Sequence, residues 1–301
     1  MKIIVTGSLG HISHPLTKEL VQKGHAVTVI SSKPEKQKDI EALSATSAIG
    51  SLEDVNFLTA VFTGADAVYS MIPPHDFFDH KLDLHAYYRR LGNNFAQAIE
   101  QSEVKRVVHL SSIGAHLDRG TGIILGHHAV EGILNNLSDA GITFMRPTAF
   151  YYNLYGFLAG IKHTGVIASN YGAEDKTVWV SPIDIAAAIV EEIITPLVGR
   201  KVRYVASEEI TCSEIAGILG VAIGKPDLKW DLITDEQMKS GFEGFGMPKS
   251  TAAGLVEMQA CMHSGELFRD YYLNRPQILG KVKITDFAKE FASAFKEGGI
   301  Q

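Results

Sequence analysis

Residues 1–20 read MKIIVTGSLGHISHPLTKEL, and they give the clearest indication of the fold. A short apolar run, Ile3 to Val5, leads directly into a loop that carries Gly7 and Gly10. Backbone N–H groups at the start of the following helix, together with the helix dipole, can bind a pyrophosphate. Ser13 stands where such loops usually carry a third glycine, a change that affects helix–strand packing more than phosphate contact. The position in the first strand–helix unit favours a nucleotide site, and the alternative is a glycine-rich turn that binds nothing.

The first half of the chain predicts an α/β fold with a doubly wound parallel sheet, as in Rossmann-like domains. Five valine- and isoleucine-rich runs indicate strands, and these runs are apolar on both faces, so helices are expected to cover both sides of the sheet. Ser13 is expected to cap the first helix and Gly24 to end it. The strands are KIIVTG, AVTVIS, ADAVYSMIPP, RVVHLSS and ITFMRP, and the helical stretches are 15–23, 52–62, 84–101 and 127–140.

After Phe150 the pattern loosens, which predicts a smaller C-terminal α/β lobe. Strands are expected in VWVSP and KVRYVA, and a helix that begins near Pro182 lies between them. A second helix is expected to be capped by Thr211 or Ser213, and a third by Ser250. We therefore expect a nucleotide-binding domain over residues 1–150 and a substrate-binding lobe over residues 151–301. Some segments of the second half are expected to return to the first domain.

The composition is that of a soluble globular protein. The 301 residues include 28 basic and 34 acidic side chains, a net charge of −6 that argues against nucleic-acid binding. Two distant cysteines, Cys212 and Cys261, are expected to be reduced and packed as small apolar groups. No apolar run is long enough for a membrane span, and the N-terminus does not resemble a signal peptide. A cytoplasmic location is expected, and the oligomeric state stays open, with a homodimer as one candidate.

The end of the second predicted strand bears on which nucleotide binds. NAD sites usually place a carboxylate there to hold the ribose 2′-OH, whereas NADP sites use polar and basic groups. Here Ser31, Ser32 and Lys33 follow the strand, and no carboxylate occurs before Glu35. Two hydroxyls and an ammonium suit a phosphate, so NADP(H) is the expected cofactor. The alternative is a polar surface loop with a solvated lysine.

Five segments together resemble the NmrA-like group of atypical short-chain dehydrogenases/reductases. They are VTGSLGHIS, FTGADAVYSMIPP, VKRVVHLSSIGAH, GHHAVEGILNNLSDAGITFMRPTAFYYNL and VWVSPIDIAAAIVEEI, and the likeness reaches to about residue 224. The resemblance implies a GxxGxxG loop and NAD(P)(H) in a Rossmann-like domain. It also implies a substrate cleft formed by the C-terminal segment. Some members of the group are NADPH-dependent quinone reductases, and others sense the nucleotide and regulate a partner.

The sequence departs from the family pattern at three places. Ser13 replaces the third glycine, and Ser51 replaces an aspartate that in the family holds the adenine amino group. The YxxxK pair of typical short-chain dehydrogenases is missing, because Ile123 falls at the tyrosine position and His127 at the lysine position. The residues expected to contact the cofactor are Thr6, Gly7, Ser8, Leu9, Gly10, His11, Ile12, Ser31, Ser32, Lys33, Ser51, Leu52, Met71, Ile72, Pro73, Ser111 and His127.

Two side chains are candidates for catalysis. Ser112 follows Ser111 at the end of a strand, where α/β folds place their ligands, and in the superfamily a serine near here polarises a substrate carbonyl. The alternative is that the serine pair bonds only to the loop backbone. His127 is expected to lie beside the nicotinamide ribose, to be mostly neutral, and to act as a hydrogen-bond partner. The alternative is a histidine that caps or packs its helix.

The aromatic run Phe150-Tyr151-Tyr152 is expected to line a flat acceptor pocket, with the core of the smaller lobe as the alternative. His75, His80 and His85 lack metal-ligand spacing, so no metal is expected. These features favour an NADPH-dependent oxidoreductase that transfers hydride to a quinone or similar small carbonyl acceptor. The alternative is an NADP(H) sensor that regulates a partner protein. A sugar-nucleotide epimerase is disfavoured, since that chemistry relies on the missing tyrosine.

Overall fold

A computed structural model of the chain describes residues 1–297 and contains a seven-stranded parallel sheet. The strand order is β10-β6-β5-β4-β1-β2-β3, and every pairing in this sheet is parallel. The strands of the described chain are β1 (Lys2–Val5), β2 (Ala26–Ser31), β3 (Thr46–Ile49), β4 (Ala67–Met71), β5 (Arg106–Leu110), β6 (Gly141–Pro147), β7 (Ala149–Phe150), β8 (Ile167–Ser169), β9 (Lys176–Val180), β10 (Arg200–Val205), β11 (Glu208–Thr211) and β12 (Trp230–Leu232).

Helices cover both faces of this sheet, as a doubly wound fold requires. Because side chains alternate along a strand, Ile3 packs on one face and Ile4 on the other. The helices are α1 (Ser13–Gln22), α2 (Gln37–Ala42), α3 (Val55–Phe62), α4 (Leu84–Ser102), α5 (Leu125–Asn135), α6 (Leu158–Thr164), α7 (Pro182–Ile193), α8 (Cys212–Ala222), α9 (Asp235–Gly244), α10 (Lys249–His263), α11 (Glu266–Leu273) and α12 (Ile284–Glu297). Helices α1 and α7 cover the face of Ile3, and α3, α4 and α5 cover the other.

The second half forms a separate core around Trp179. Its small sheets are β11-β9-β7 and β12-β8, and helices α8, α10, α11 and α12 pack against them. Both cysteines are free and buried here, as the sequence predicts. Two segments return to the large sheet: β10 pairs with β6, and α7 lies on the face of α1.

Several helix boundaries differ from the sequence prediction. Ser13 does not cap α1; it is the first helical residue, and its hydroxyl donates to the carbonyl of Thr6 (2.8 Å). Ser250 does not cap α10, which begins at Lys249 after Pro248 without a side-chain cap. Thr211 does cap α8, where its hydroxyl and Glu214 form a capping box. Helix α5 ends at Asn135 instead of residue 140, because the chain must then reach the start of β6.

Candidate functional site

The glycine-rich loop is fixed by hydrogen bonds to the neighbouring strands at the carboxyl edge of the sheet. The buried hydroxyl of Thr6 accepts from the N–H of Met71 at the end of β4 (3.0 Å). On the other side, the Ser8 N–H donates to the carbonyl of Ile30 in β2 (3.0 Å). Thr6 and Ser8 therefore hold the loop in place between β4 and β2, at the edge where open α/β sheets bind ligands.

Gly7 is required by both its conformation and its surroundings. Its φ is +86°, and a Cβ there would lie 2.4 Å from the Met71 sulfur and 2.8 Å from the Ser13 hydroxyl oxygen. The missing side chain at Gly7 thus leaves room for the serine that replaces the third glycine. Ser13 in turn bonds to the carbonyl of Thr6, so the helix and strand stay close despite the extra hydroxymethyl group.

The start of α1 presents free backbone donors. Within residues 1–297, the N–H groups of His11 and Ile12 have no hydrogen-bond acceptor. The N–H of Gly10, one of the expected cofactor contacts, is not free, because it donates to the carbonyl of Gly7 (3.2 Å). Free N–H groups at a helix N-terminus favour an anion. This loop therefore fits the diphosphate of a dinucleotide.

The loop after β2 lies next to this loop, and the loop after β3 lies on the far side of the β2 loop. The Ser31 hydroxyl is buried and is used within the protein: it accepts from the Ser8 hydroxyl (3.0 Å) and from the N–H of Lys33 (3.2 Å). Ser32 and Lys33 are exposed, and no carboxylate within the described chain pairs with the Lys33 ammonium. Ser51 accepts from the N–H of Glu53 (3.1 Å), and the Leu52 carbonyl accepts from the Asn94 amide (3.1 Å).

The residues predicted after β4 and β5 divide into core and edge positions. Ile72 is buried in the core under α3 and α4, and the Pro73 carbonyl accepts from the Tyr87 hydroxyl (3.5 Å). Ser111 is 3% exposed and donates to the Glu131 carboxylate (2.5 Å), so it holds its loop against α5. Ser112 is half-buried at the same strand end.

The Ser111 contact belongs to a buried ion pair. Arg146 at the end of β6 binds both oxygens of the Glu131 carboxylate (2.9 and 2.7 Å) and also contacts Asp270 of α11 (3.3 Å). Hydrogen bonding and charge interaction with Glu131 raise the pKa of Arg146, although burial opposes this. This pair connects the carboxyl edge of the sheet to the second lobe.

His127 lies in the first turn of α5 against Tyr88 of α4. The two rings meet edge to face with centroids 5.0 Å apart, and the Tyr88 oxygen is 3.4 Å from Nε2 of the histidine. Burial lowers the pKa of His127 to about 4, so the imidazole is neutral at pH 7. The neutral imidazole agrees with the sequence prediction, and burial is its principal cause. Nδ1 is enclosed and has no partner among residues 1–297.

A cleft of about 730 Å³ opens at the start of α4 and just before α5, and neither Tyr88 nor His127 lines it directly. One wall is the segment from His80 to His85, which includes the start of α4, and the others are the turn at Gly122 and Ile123 and the first half of α10. Ile123, which the family resemblance aligns with the tyrosine of typical short-chain dehydrogenases, lines this cleft. Sequence reasoning missed the cleft and Tyr88. The one signal for Tyr88 was Gly126, a glycine directly before His127.

The aromatic run after β6 has two environments. Tyr152 stacks on His11 of the glycine-rich loop (centroids 5.0 Å apart) and on Phe150 (4.9 Å). Tyr151 points into the core, where it is 1% exposed, lies against Trp179 and Phe287, and donates to the Glu208 carboxylate (3.1 Å). Tyr151 is therefore a core residue and not a lining residue, which corrects its place in the predicted pocket.

No group of three or more histidine, cysteine, aspartate or glutamate side chains is arranged to hold a metal ion within residues 1–297. None of the helices described for the chain combines the length and apolar character needed to cross a bilayer.

Comparison with known proteins agrees with this geometry. Residues 7–196 match the sequence model of a family described as NAD(P)H-binding. The NAD(P)H azoreductase of Xenophilus azovorans is 26% identical over 298 residues, which cover 97% of this chain and 99% of that protein. The NADPH-dependent quinone oxidoreductase QOR2 of Escherichia coli superposes with a TM-score of 0.80 at 19% identity, covering 96% of this chain and 99% of that one. The triphenylmethane reductase of Citrobacter sp. gives 0.78 at 19% identity, covering 96% and 100%. The structural matches show a Rossmann-like fold.

Proposed function

Since the chain belongs to the NAD(P)H-binding family, we propose that it is an NADPH-dependent oxidoreductase of the NmrA-like type that reduces a quinone or similar small carbonyl acceptor. The observation that carries the proposal is the pair of free N–H groups of His11 and Ile12 at the start of α1. A relative that is an azoreductase, and structural neighbours that are quinone and dye reductases, support reduction of a conjugated acceptor.

Each part of the cofactor has residues that would hold it. The N–H groups of His11 and Ile12 would bind the diphosphate, and Ser32 with Lys33 would bind the 2′-phosphate of NADPH. Ser51 and Leu52 would contact the adenine, and His127 the nicotinamide ribose. When bound, NADPH supplies a hydride to the acceptor.

The residues of the chain then act by positioning rather than by acid catalysis. Ile123 cannot donate a proton, and the low pKa of His127 keeps its imidazole uncharged. A neutral imidazole can still donate a hydrogen bond to an oxygen. Quinones are already electrophilic, so an orienting cleft and one hydrogen-bond donor would support hydride transfer, and solvent would protonate the resulting hydroquinone anion.

The test is oxidation of NADPH, followed by its absorbance under anaerobic conditions with a panel of quinones. We expect turnover with NADPH and slower turnover with NADH. The Gly10→Val variant, with its loop blocked, is the matched negative control. If the wild-type protein binds NADPH but does not oxidise it with any quinone in the panel, the enzymatic proposal is overturned.

That outcome would instead support a second candidate, an NADP(H) sensor that regulates a partner protein. Its specific support is Ile123, because an apolar side chain lines the cleft where typical relatives carry their proton donor. Binding of NADPH measured by calorimetry, without turnover of any acceptor in the panel, is the result that this candidate predicts.

A further inference from the structure

Tyr88 is held against α5 by a glycine. A Cβ on Gly126 would lie 2.6 Å from the Tyr88 ring, so only glycine allows the ring to lie on the helix backbone at this point. The ring is 8% exposed and also meets the His127 ring edge to face. Its position is therefore fixed from two sides, and its hydroxyl is directed to Nε2 of His127 (3.4 Å).

The protonation of the two groups decides which one donates. Burial raises the pKa of the Tyr88 phenol, so it keeps its proton at neutral pH. Burial lowers the pKa of His127 to about 4, so its imidazole has one proton and one free lone pair. A phenol donates readily, and the unprotonated nitrogen of an imidazole accepts. If the Tyr88 hydroxyl donates its proton in the hydrogen bond to His127, Nε2 is the acceptor and the imidazole proton resides on Nδ1.

We propose that Tyr88 is a positioning residue whose hydroxyl holds His127 in the Nδ1–H tautomer, making Nδ1 the donor to an uncharged oxygen of the bound ligand. The inference rests on the proposed function, because the oxygen is a ribose hydroxyl of the nucleotide or the carbonyl of the acceptor. Nδ1 is enclosed without a partner in the described chain, and a buried unpaired N–H is unfavourable. A ligand oxygen would remove that deficit.

The place of the pair in the fold agrees with a role at the site. Leu84 and Ile123 line the cleft. Tyr88 lies four residues after Leu84, and His127 lies four residues after Ile123. Residues four apart on a helix share a face, so Tyr88 lies one turn beyond the cleft wall on α4. His127 lies just beyond Ile123 at the start of α5.

The tautomer is measured directly by ¹⁵N NMR of the histidine rings in the free protein near neutral pH. Two histidines of the chain serve as references. His128 contacts the Ala115 carbonyl through Nδ1 (2.9 Å) and so has its proton there, whereas His80 contacts the Gly246 carbonyl through Nε2 (3.1 Å). We expect His127 to match the pattern of His128. The pattern of His80 in the wild-type protein would overturn the proposal.

The variant Tyr88→Phe keeps the ring on Gly126 and removes only the hydroxyl. We expect the proton of His127 to leave Nδ1, wholly or in exchange with Nε2, and NADPH to bind about tenfold more weakly. Tyr87→Phe is the matched control, because its hydroxyl contacts the Pro73 carbonyl and not the histidine. It should leave the tautomer unchanged. An unchanged tautomer in Tyr88→Phe would contradict the assignment, and melting curves verify that both variants fold.

Titration of the labelled protein identifies the oxygen. A shift of the His127 Nδ1–H signal with NADP⁺ alone indicates the ribose, and a shift that needs a quinone as well indicates the acceptor. No shift with either would overturn the donor role. Failure of NADP⁺ to bind by calorimetry would overturn the proposed function instead, while the tautomer of the free protein is decided without any ligand.

Discussion

Gly7 and Ser13 share one small space behind the glycine-rich loop. A side chain at Gly7 would meet the Ser13 hydroxyl, and that hydroxyl is bonded to the carbonyl of Thr6. The serine therefore replaces the close helix–strand contact of a glycine with a hydrogen bond between the same two elements. The presence of Ser13 is compatible with a phosphate-binding loop because the strict steric demand falls on Gly7, not on position 13.

Gly10→Val is expected to abolish nucleotide binding and leave the fold largely intact. A Cβ at Gly10 would lie 3.2 Å from the Gly7 carbonyl oxygen, a contact that a small shift relieves. The branched side chain would then stand beside the free N–H groups of α1. Calorimetry with NADPH measures the loss. Unchanged binding would mean that the phosphates lie elsewhere.

Gly7→Ala is the comparison for this variant. Its φ of +86° and its contact with Met71 predict a loss of stability of about 1–3 kcal/mol in urea unfolding. We thus expect Gly10→Val to affect mainly nucleotide binding and Gly7→Ala to affect mainly the stability of the fold.

Lys33→Ala is expected to weaken NADPH much more than NADH. The ammonium is free of carboxylate partners in the described chain, and a phosphate contact of this type contributes roughly 1.5–3 kcal/mol. Lys36→Ala is the matched control, since Lys36 already pairs with Asp39 (3.0 Å). Equal losses for the two nucleotides, measured as dissociation constants, would count against a 2′-phosphate site at Lys33.

His127→Ala is expected to reduce nucleotide affinity or turnover with little change in melting temperature. The imidazole has only one hydrogen bond within residues 1–297, to Tyr88, so the expected loss of stability is limited to that bond and to its edge-to-face packing on the same ring. His128→Ala is the comparison, because that ring is bonded to the Ala115 carbonyl and should affect stability instead. Early melting of His127→Ala with unchanged binding would identify a packing residue.

At the scale of elements, the cleft depends on a close approach between the turn before α5 and helix α10. Gly122 has a φ of +52°, and a Cβ there would lie 1.8 Å from the carbonyl oxygen of Gly254. Ile123 also packs against Gly254, because its Cγ2 lies 3.2 Å from where a Cβ on Gly254 would be. Two glycines thus set the distance between these walls of the cleft.

Gly122→Ala is therefore expected to displace α10, to lower the unfolding free energy by about 1–3 kcal/mol, and to raise the KM for the acceptor. Gly132→Ala is the control in the neighbouring helix. Gly132 is exposed, and nothing lies within 4 Å of its missing Cβ, so alanine should stabilise the protein by about 0.5–1 kcal/mol. Urea unfolding and steady-state kinetics measure both effects. Normal stability and KM in Gly122→Ala would contradict this account.

The sequence predicts elements well where the pattern is local. All five strands expected in the first half are present, because a strand buried on both faces is apolar along its whole length. Strand β3, TSAI, was missed because the strand has only four residues and none of them is fully buried. Helix α9 was missed because it is polar and has no buried residue. The contact of Tyr88 with His127 joins residues 39 apart, and no local pattern contains it.

At the scale of the whole molecule, the two cores are joined by the chain's return to the first sheet. Asp184 at the start of α7 accepts from the Ser207 hydroxyl (2.6 Å) and from the N–H groups of Lys281 (3.0 Å) and Val282 (3.1 Å). The segments α7 and β10 lie after residue 150 in the chain but belong to the large sheet. We therefore expect both parts to unfold cooperatively.

Buried histidines should make that unfolding depend on pH. Burial lowers the pKa of His109 to about 3 and of His127 to about 4, and it also lowers the pKa of His25, His75 and His116. When the pH falls below the ordinary histidine pKa of about 6.5, these histidines become protonated in the unfolded chain but stay neutral in the folded protein. Stability is therefore expected to be fully present above about pH 7 and to fall as the pH is lowered.

Urea unfolding between pH 7 and pH 5 tests this expectation, in a window where most carboxylates remain ionised. Each fully buried neutral histidine contributes a slope that approaches about 1.4 kcal/mol per pH unit in the lower part of this range. The His109→Gln variant, which removes one such group, should show a shallower dependence than the wild-type protein. Stability that stays level or rises toward pH 5, or an unchanged slope in the variant, would mean that these imidazoles become charged within the folded protein.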